Sequence, residues 1–402
     1  MNQPALTAHA PLRLKKNEER RLRAGHLWVY SNEVDTAVTP LTGFRAGEPV
    51  EIQASNGKPV GTGYVNPQSL ICARLVSRDP AHPLSGSLLV HRLKVALGLR
   101  ERLYPAPFYR LVHGEGDALP GLIVDRYDAV CVVQITTAGM EALKDEVIAA
   151  LDKVLKPAGI LLRNDTGSRK LEGLDSYVEA IGQVPEVVEI LENGVRHLAP
   201  LAGGQKTGWF YDQQANRARL AKYVRGARVL DVFSYVGGWG IQAAVAGADS
   251  VMCVDSSEAA LDHAHAAAEL NGIAERFATL EGDAFEALKN LKQERERFDV
   301  IVCDPPAFIK RKKDFKEGAL AYRRINELAM SLLDRDGILV SCSCSHHMER
   351  ATLADTLLAS ARHLDRSLAF LESGQPGPDH PVHPAIPETE YLKAFYSRVL
   401  PA

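Results

Sequence analysis

"ARVLDVFSYVGGWGIQAAVAG" (227–247) reads as a strand-like run, a glycine-rich turn and a small-residue helix. The same unit recurs downstream. "SVMCVDSS" precedes "EAALDHAHAAAELNG", "FATLEGDA" precedes "FEALKNLKQ", and "FDVIVCDPP" precedes "YRRINELAMSLL". "GILVSCS" then leads into "ERATLADTLLASARHL", and "YLKAFYSRVL" closes the series. Regular alternation of strand and helix is the pattern of a mainly parallel, doubly wound α/β sheet. Ligands of such sheets bind beyond the carboxyl ends of the strands, so the residues just after each apolar run are the candidates.

Upstream the texture changes. Residues 11–80 carry short β-like runs ("EPVEIQ", "PVGTGYV", "LICARLV") punctuated by glycines, as in a small β-rich module. "PLRLKKNEERRLRAGHLWVY" (11–30) holds six Lys/Arg, among them Arg20, Arg21 and Arg23, against two Glu, and ends in Trp28 and Tyr30. Basic charge with nearby rings suits RNA, although a solvated helix face capped by core aromatics has the same appearance. "DPAHPLSG" (79–86) reads as a linker. Beyond it, strand-like and helical runs to about 190 suggest a compact α+β region, with Glu115, Asp117 and Asp125 in turns. Three domains are expected: 10–82, 87–195 and 200–402.

Composition sets outer limits. The 402 residues are 46% hydrophobic and 24% charged, with a net charge of −3, so any nucleic-acid surface must be local. Six cysteines (72, 131, 253, 303, 342 and 344) without regular spacing fit a reducing compartment better than a disulfide framework. "MNQPALTAHA" lacks a basic segment followed by an apolar one, and nowhere do ~18 apolar residues run together. A soluble, cytoplasmic protein without a membrane partner is expected.

Three strand ends form a set. Gly237, Gly238 and Gly240 permit a close backbone approach and a tight helix entry, in the order G-G-x-G rather than G-x-G-x-x-G. Asp255 could accept hydrogen bonds from a ribose diol, and Asp283-Ala284 could face an adenine amine. Each acid alone is more often a helix cap, and Asp255-Ser256-Ser257-Glu258 has that form. In register along successive strands, they point to an adenosyl ligand.

The fourth strand ends in Asp304-Pro305-Pro306-Ala307-Phe308, a stiff turn able to present Asp304 and a ring to a flat substrate. With this turn the chain resembles class I S-adenosylmethionine-dependent methyltransferases. Within that group it resembles the RlmI-like family, ribosomal RNA cytosine-C5 methyltransferases with an N-terminal PUA domain. The similar stretches are "GHLWVYSNEV" (25–34), "GEGDALPGLIVDRY" (114–127), "KTGWFYDQQANR" (206–217), "DVFSYVGGWG" (231–240), "DPPAFIKRKK" (304–313), "SCSCSHHM" (341–348) and "DHP…YLKAF" (379–395).

The resemblance implies a Rossmann-like C-terminal domain, a PUA-like domain and a β-β-α-β-β-type middle domain. S-adenosylmethionine would be the cofactor and large-subunit ribosomal RNA the partner, and a homodimer is compatible with it. Phe233, Ser234, Gly237 and Gly238 would hold the methionine part, Asp255 and Ser256 the ribose, and Asp283 with Ala284 the adenine edge. Phe210, Asp212 and Gln213, with Lys206 and Arg217, would wall the cofactor or substrate, unless that segment only packs domains together. Pro305, Phe308 and Lys310 would meet RNA.

"SCSCSHHM" crowds two cysteines and two histidines into eight residues, yet its spacing is not C-x₂₋₄-C with H-x₃₋₅-H, and no metal is expected. Carbon 5 of a pyrimidine is a poor nucleophile until a thiolate adds to carbon 6. Cys344 matches the family's second-cysteine position in S-C-S and is the candidate nucleophile, while Cys342 continues the strand and reads as inert. Asp304 would stabilise the ring's developing charge. His346 and His347 depart from the family pattern. Residues 308–327 hold seven Lys/Arg against three acids and would form a basic loop at the site. The expected activity is 5-methylcytosine formation in ribosomal RNA. The rivals are transfer to uracil C5 or an exocyclic amine, and a non-catalytic RNA-binding or assembly protein.

Overall fold

The computed structural model describes residues 9–402, which fall into two compact units. The first takes the chain up to Glu186, with Leu201–Gly208 and Pro378–Thr389. The second comprises Val187–Pro200, Trp209–Gly377 and Glu390–Ala402.

The first unit holds two sheets. Strands β1 (Ala10–Arg13), β2 (Trp28–Tyr30), β3 (Glu48–Gln53), β4 (Pro59–Val65) and β5 (Ile71–Ser77) form one, ordered β1-β3-β4-β5-β2. Between β1 and β2 lies the short helix α1 (Glu19–Arg23). At Gly63 a Cβ would come 2.0 Å from the Arg74 carbonyl oxygen, so only glycine lets β4 lie this close to β5. Leu12, Val29, Val50, Ile52, Val65 and Leu75 fill the interior.

Helix α2 (Gly86–Leu103) is capped by the Ser85 hydroxyl, which accepts from Leu88 N, and buries Leu89, Leu93, Ala96 and Arg100 at helical spacing. Strands β6 (Phe108–His113), β7 (Leu122–Tyr127) and β8 (Val130–Ile135) follow. After helices α3 (Ala138–Glu141) and α4 (Lys144–Leu155) come β9 (Gly159–Asn164), α5 (Ser168–Leu171) and β10 (Tyr177–Gly182). The sheet runs β10-β9-β8-β7-β6. It thus has three strands before α4, one more than the β-β-α-β-β expectation, because "FYRLVH" pairs with β7 as a hairpin arm.

The second unit opens with the hairpin β11 (Val187–Glu192) and β12 (Val195–Pro200) and helix α6 (Gln214–Leu220). Its main sheet contains β13 (Arg228–Val232), β14 (Ser250–Asp255), β15 (Phe277–Glu281), β16 (Phe298–Cys303), β17 (Leu333–Ser343), β18 (Arg366–Gly374) and β19 (Lys393–Pro401). Helices α7 (Gly238–Val245), α8 (Glu258–Leu270), α9 (Ala284–Gln293), α10 (Phe315–Leu332) and α11 (Arg350–His363) alternate with the strands. The order is β15-β14-β13-β16-β17-β19-β18, parallel from β15 to β17 and antiparallel at β19. Alternate residues serve opposite layers: Val229, Val300, Val302, Val340 and Cys342 face one core, while Leu230, Ile301, Cys303 and Leu339 face the other.

These boundaries depart from a three-segment division at 10–82, 87–195 and 200–402. The β11–β12 hairpin clusters with the main sheet. Pro378–Thr389 joins the first unit, where the Asp379 carboxylate accepts from Arg110 N at 2.9 Å and its carbonyl accepts from Arg100 at 2.7 Å. Among the described residues, no helix is long and apolar enough to cross a membrane.

Candidate active site

The turn after β13 is conformationally costly. Phe233 and Tyr235 are left-handed, with φ of 64° and 50°, and Gly237 follows at 75°. Such positions persist only where surrounding structure holds them, and they gather at functional sites. Here Tyr235 N donates to Asp255 Oδ2 at 2.7 Å, and Ser234 N to the Val254 carbonyl at 3.0 Å. The turn of β13 is therefore pinned to the end of β14. Ser234, Gly238 and Gly240 are buried. At Gly240 a Cβ would lie 2.4 Å from Cys253 Sγ, so the close helix entry needs glycine.

The strand-end acids are partly occupied. Asp255 Oδ1 accepts from Ser257 N at 3.0 Å, and Ser257 itself caps α8. Asp283 Oδ1 caps α9, accepting from Phe285 N and Glu286 N at 3.0 and 3.2 Å. A carboxylate has about four acceptor positions, so both keep capacity for hydroxyl or amine donors. Ser256 is exposed at the mouth of the turn, and Ala284 is buried behind Asp283. Asp231, which the motif reading passed over, is fully buried; its Oδ2 accepts from Gly240 N at 2.9 Å. Its Oδ1 has no hydrogen-bond partner among the described residues, and burial pushes the carboxyl up to about 7. The left-handed turn, acids with open lone pairs and this donor-seeking oxygen fit a ligand carrying hydroxyl and amine groups.

Asp304 follows β16 and is half-buried. Its Oδ2 accepts from Gln213 Nε2 at 2.9 Å and from Trp239 Nε1 at 3.0 Å. Burial pushes the carboxyl up to about 6; the two donors and Arg217 oppose that rise, and Asp212 adds to it. Trp239 was missed in the sequence, although a buried indole between glycines must find an acceptor. Gln213 is oriented by Asn216, which donates to its Oε1 at 2.7 Å, and Asp212 Oδ2 accepts from the Tyr391 hydroxyl. Phe210 packs edge-on against Tyr235, with ring centroids 5.7 Å apart.

Among the six cysteines, only Cys344 is partly exposed. Cys342 lies in the core, where burial drives its thiol well above the ordinary value. Cys344 stands one residue past β17, with its Sγ 3.9 Å from the Pro305 carbonyl oxygen. A hydroxyl cluster holds the two loops together. Ser343 Oγ donates to the Tyr322 hydroxyl at 2.9 Å, which also bonds Ser345 Oγ at 2.9 Å; Ser345 Oγ accepts from Ile309 N at 3.1 Å. Among the described residues, no three or more His, Cys, Asp or Glu side chains gather to hold a metal.

Several expected contacts fall elsewhere. Arg217 is buried, donating to Glu192 at 2.5 and 2.9 Å and to the Phe210 carbonyl, so its charge is committed internally rather than to RNA. Arg21 is likewise engaged by Glu33 at 2.6 and 2.7 Å, whereas Arg20 and Arg23 are exposed. Phe308 does not stand out as a free ring; it packs against Phe233, Phe285 and Tyr322. Pro305 is buried beside it. The basic stretch 308–327 is a loop only at its start, since Phe315 onward belongs to α10, but Lys310, Arg311, Lys312 and Lys313 are all exposed. Lys206 is exposed and left-handed within the first unit.

Comparison with known proteins identifies the fold and the family. Residues 12–78 match the model of a PUA-like domain, and residues 109–398 that of an S-adenosylmethionine-dependent methyltransferase. The ribosomal RNA large subunit methyltransferase I of Photobacterium profundum is 36% identical over 388 residues, spanning 95% of this chain and 97% of that one. Its namesake from Vibrio cholerae is 35% identical, spanning 96% and 98%. A crystal structure of a protein complexed with SAH aligns with a TM-score of 0.83 at 21% identity, covering 97% of this chain and 100% of that one, and shares the fold. The chain belongs to the S-adenosylmethionine-dependent methyltransferase family, the family that includes the ribosomal RNA large subunit methyltransferase I proteins.

Proposed function

We propose that this enzyme methylates carbon 5 of a cytosine in large-subunit ribosomal RNA, using Cys344 as a transient nucleophile. The observation that carries the reading is the position of Cys344. It is the one partly exposed thiol among the cysteines, set at the carboxyl end of β17 beside the Asp304-Pro305-Pro306 turn. The names of the relatives support a ribosomal RNA substrate, and the PUA-like domain supports an RNA partner.

S-adenosylmethionine, when bound, supplies an electrophilic methyl group on a sulfonium. Phe233, Ser234, Gly237 and Gly238 would hold its methionine part, Asp255 and Ser256 its ribose, and Asp283 with Ala284 its adenine edge. Phe210, Asp212 and Gln213 would wall the same site. Cys344 would add to carbon 6 of the unstacked cytosine, forming an S–C6 bond and raising electron density at carbon 5, where the methyl is accepted. Loss of the carbon-5 proton then restores the double bond, breaks S–C6 and returns the thiolate. Asp304, with its Oδ2 held by Gln213 and Trp239, would in its protonated form pass a proton to ring nitrogen 3 as the thiolate adds, neutralising the negative charge that develops on the ring. Exposed Lys310 and its basic neighbours, with Arg20 and Arg23, would meet phosphates.

Nucleoside mass spectrometry of unmodified large-subunit ribosomal RNA, incubated with the protein and S-adenosylmethionine, tests this. A single new 5-methylcytidine is expected. A methylated uridine or an N-methyl nucleoside in its place would overturn the assignment.

A further inference from the structure

Lys393 sits where few lysines do. On the antiparallel pair β17–β19 it stands opposite Ser343, the residue before Cys344. Its Nζ donates at 2.7 Å to the carbonyl of Ser345, the residue after Cys344. One side chain therefore brackets the thiol position along the strand end. Lys393 is 4% exposed, and its hydrogen bond among the described residues is to a neutral carbonyl. An ammonium has three donors and, once buried, is costly unless an anion accompanies it. Burial accordingly pushes Lys393 down to about 8, opposed by the electrostatic pull of Cys344 and Glu390 and reinforced by Arg350. Arg350 is itself engaged with Ser373, Gly374 and Glu390. Other groups near Cys344 include the Tyr322 phenol, pushed up chiefly by burial, the buried Cys342 thiol and the Pro305 carbonyl, and His346 and His347 follow it in the chain. Lys393 is a positive group drawn toward the sulfur.

We propose that Lys393 is a positioning residue for Cys344: its ammonium is the counter-ion of a Cys344 thiolate and anchors the Ser345 backbone that carries it. The proposal rests on reading Cys344 as the nucleophile, because only the thiolate adds to a pyrimidine. It also gives a lysine in a mostly apolar strand, "YLKAFYSRVL", a reason to be buried.

The test is the pH profile of Cys344 alkylation by iodoacetamide, read by peptide mass in the wild type, Lys393→Met and Lys393→Arg. The other five cysteines are buried, which isolates the signal. Lys393→Met should react roughly tenfold more slowly at pH 7, with its midpoint displaced upward by about one pH unit, while Lys393→Arg should stay near the wild type. Superimposable wild-type and Lys393→Met profiles would overturn the proposal. Should Lys393→Met fail to fold, thiolate absorbance of the wild type minus Cys344→Ala decides. A Cys344 midpoint clearly below the ordinary ~8.5 is expected, and one at or above it overturns the proposal. Methyl transfer by Cys344→Ala separates the two claims. Its persistence would sink the nucleophile reading, whereas its loss together with unchanged alkylation profiles would sink only the role of Lys393.

Discussion

Asp304→Asn removes one ionisable proton and almost no volume from the proposed site. Asp304 Oδ2 receives Gln213 Nε2 at 2.9 Å and Trp239 Nε1 at 3.0 Å, so an asparagine carbonyl oxygen can take its place between the same donors. What disappears is the acid proton. Preorganised groups facing charge that develops in a transition state contribute about 2–4 kcal/mol each, so single-turnover methyl transfer should fall roughly 30- to 1000-fold. The pH profile gives a second reading. Burial raises the carboxyl to about 6, so in the wild type the part of the rate that depends on Asp304 should fall as pH rises through that value, and the protonated fraction at pH 7 is roughly one-tenth. Stability should move the same way. A carboxyl raised in the folded state binds more protons than in the unfolded chain between about pH 4 and pH 6, so folding weakens as pH rises through that window. Asp304→Asn removes that cost, and at pH 8 it should melt no lower than the wild type. Rapid-quench transfer of a labelled methyl group, with calorimetry for cofactor affinity and for melting, covers all three. An Asp304→Asn enzyme within threefold of the wild type, with an unaltered pH profile, would refute the role given to Asp304.

Glu192→Ala should strand the buried Arg217 guanidinium and the Trp209 indole, which donates to Glu192 at 2.8 Å, at a cost of about 3–5 kcal/mol. Calorimetric melting should fall by roughly 6–20 °C, and a fall under 3 °C would deny the pair its structural role. Gly240→Ala places a Cβ 2.4 Å from Cys253 Sγ and should cost about 1–3 kcal/mol in denaturant unfolding, whereas Gly43→Ala, with open space around it, should be near neutral. Replacing Lys310, Lys312 and Lys313 by alanine should weaken RNA binding and reduce the log–log salt slope by up to about 3, with cofactor affinity unchanged. An unaltered slope would place the RNA elsewhere.

The parts of this protein that sequence made legible are those that local rules control. Strand–helix alternation places candidate residues after apolar runs, so Asp255, Asp283 and Asp304 could be picked out one by one as strand-end acids. Cys342 continues the strand run, whereas Cys344 lies past its end, and that difference separated the two in the sequence. The illegible parts depend on distant partners. Arg217 pairs with Glu192, 25 residues away on a hairpin strand, and no local pattern shows that its charge is already used. Asp379 meets Arg110 across 269 residues, which is why the boundaries of the compact units could not be read as three consecutive segments. Trp239 and Lys393 gave a fainter signal: an indole among glycines and a lysine in an apolar strand each need a buried partner, but the sequence does not say which.

The covalent step can be tested directly with ribosomal RNA in which 5-azacytidine replaces cytidine. Nitrogen 5 of the modified ring bears no proton to lose after methylation, so the S–C6 bond cannot be released and the protein stays attached. With S-adenosylmethionine present, the wild type and Cys342→Ala should form a denaturation-resistant complex whose cross-linked peptide contains Cys344, and Cys344→Ala should form none. A complex that survives in Cys344→Ala, or methyl transfer by the wild type with no trapped complex, would contradict the account.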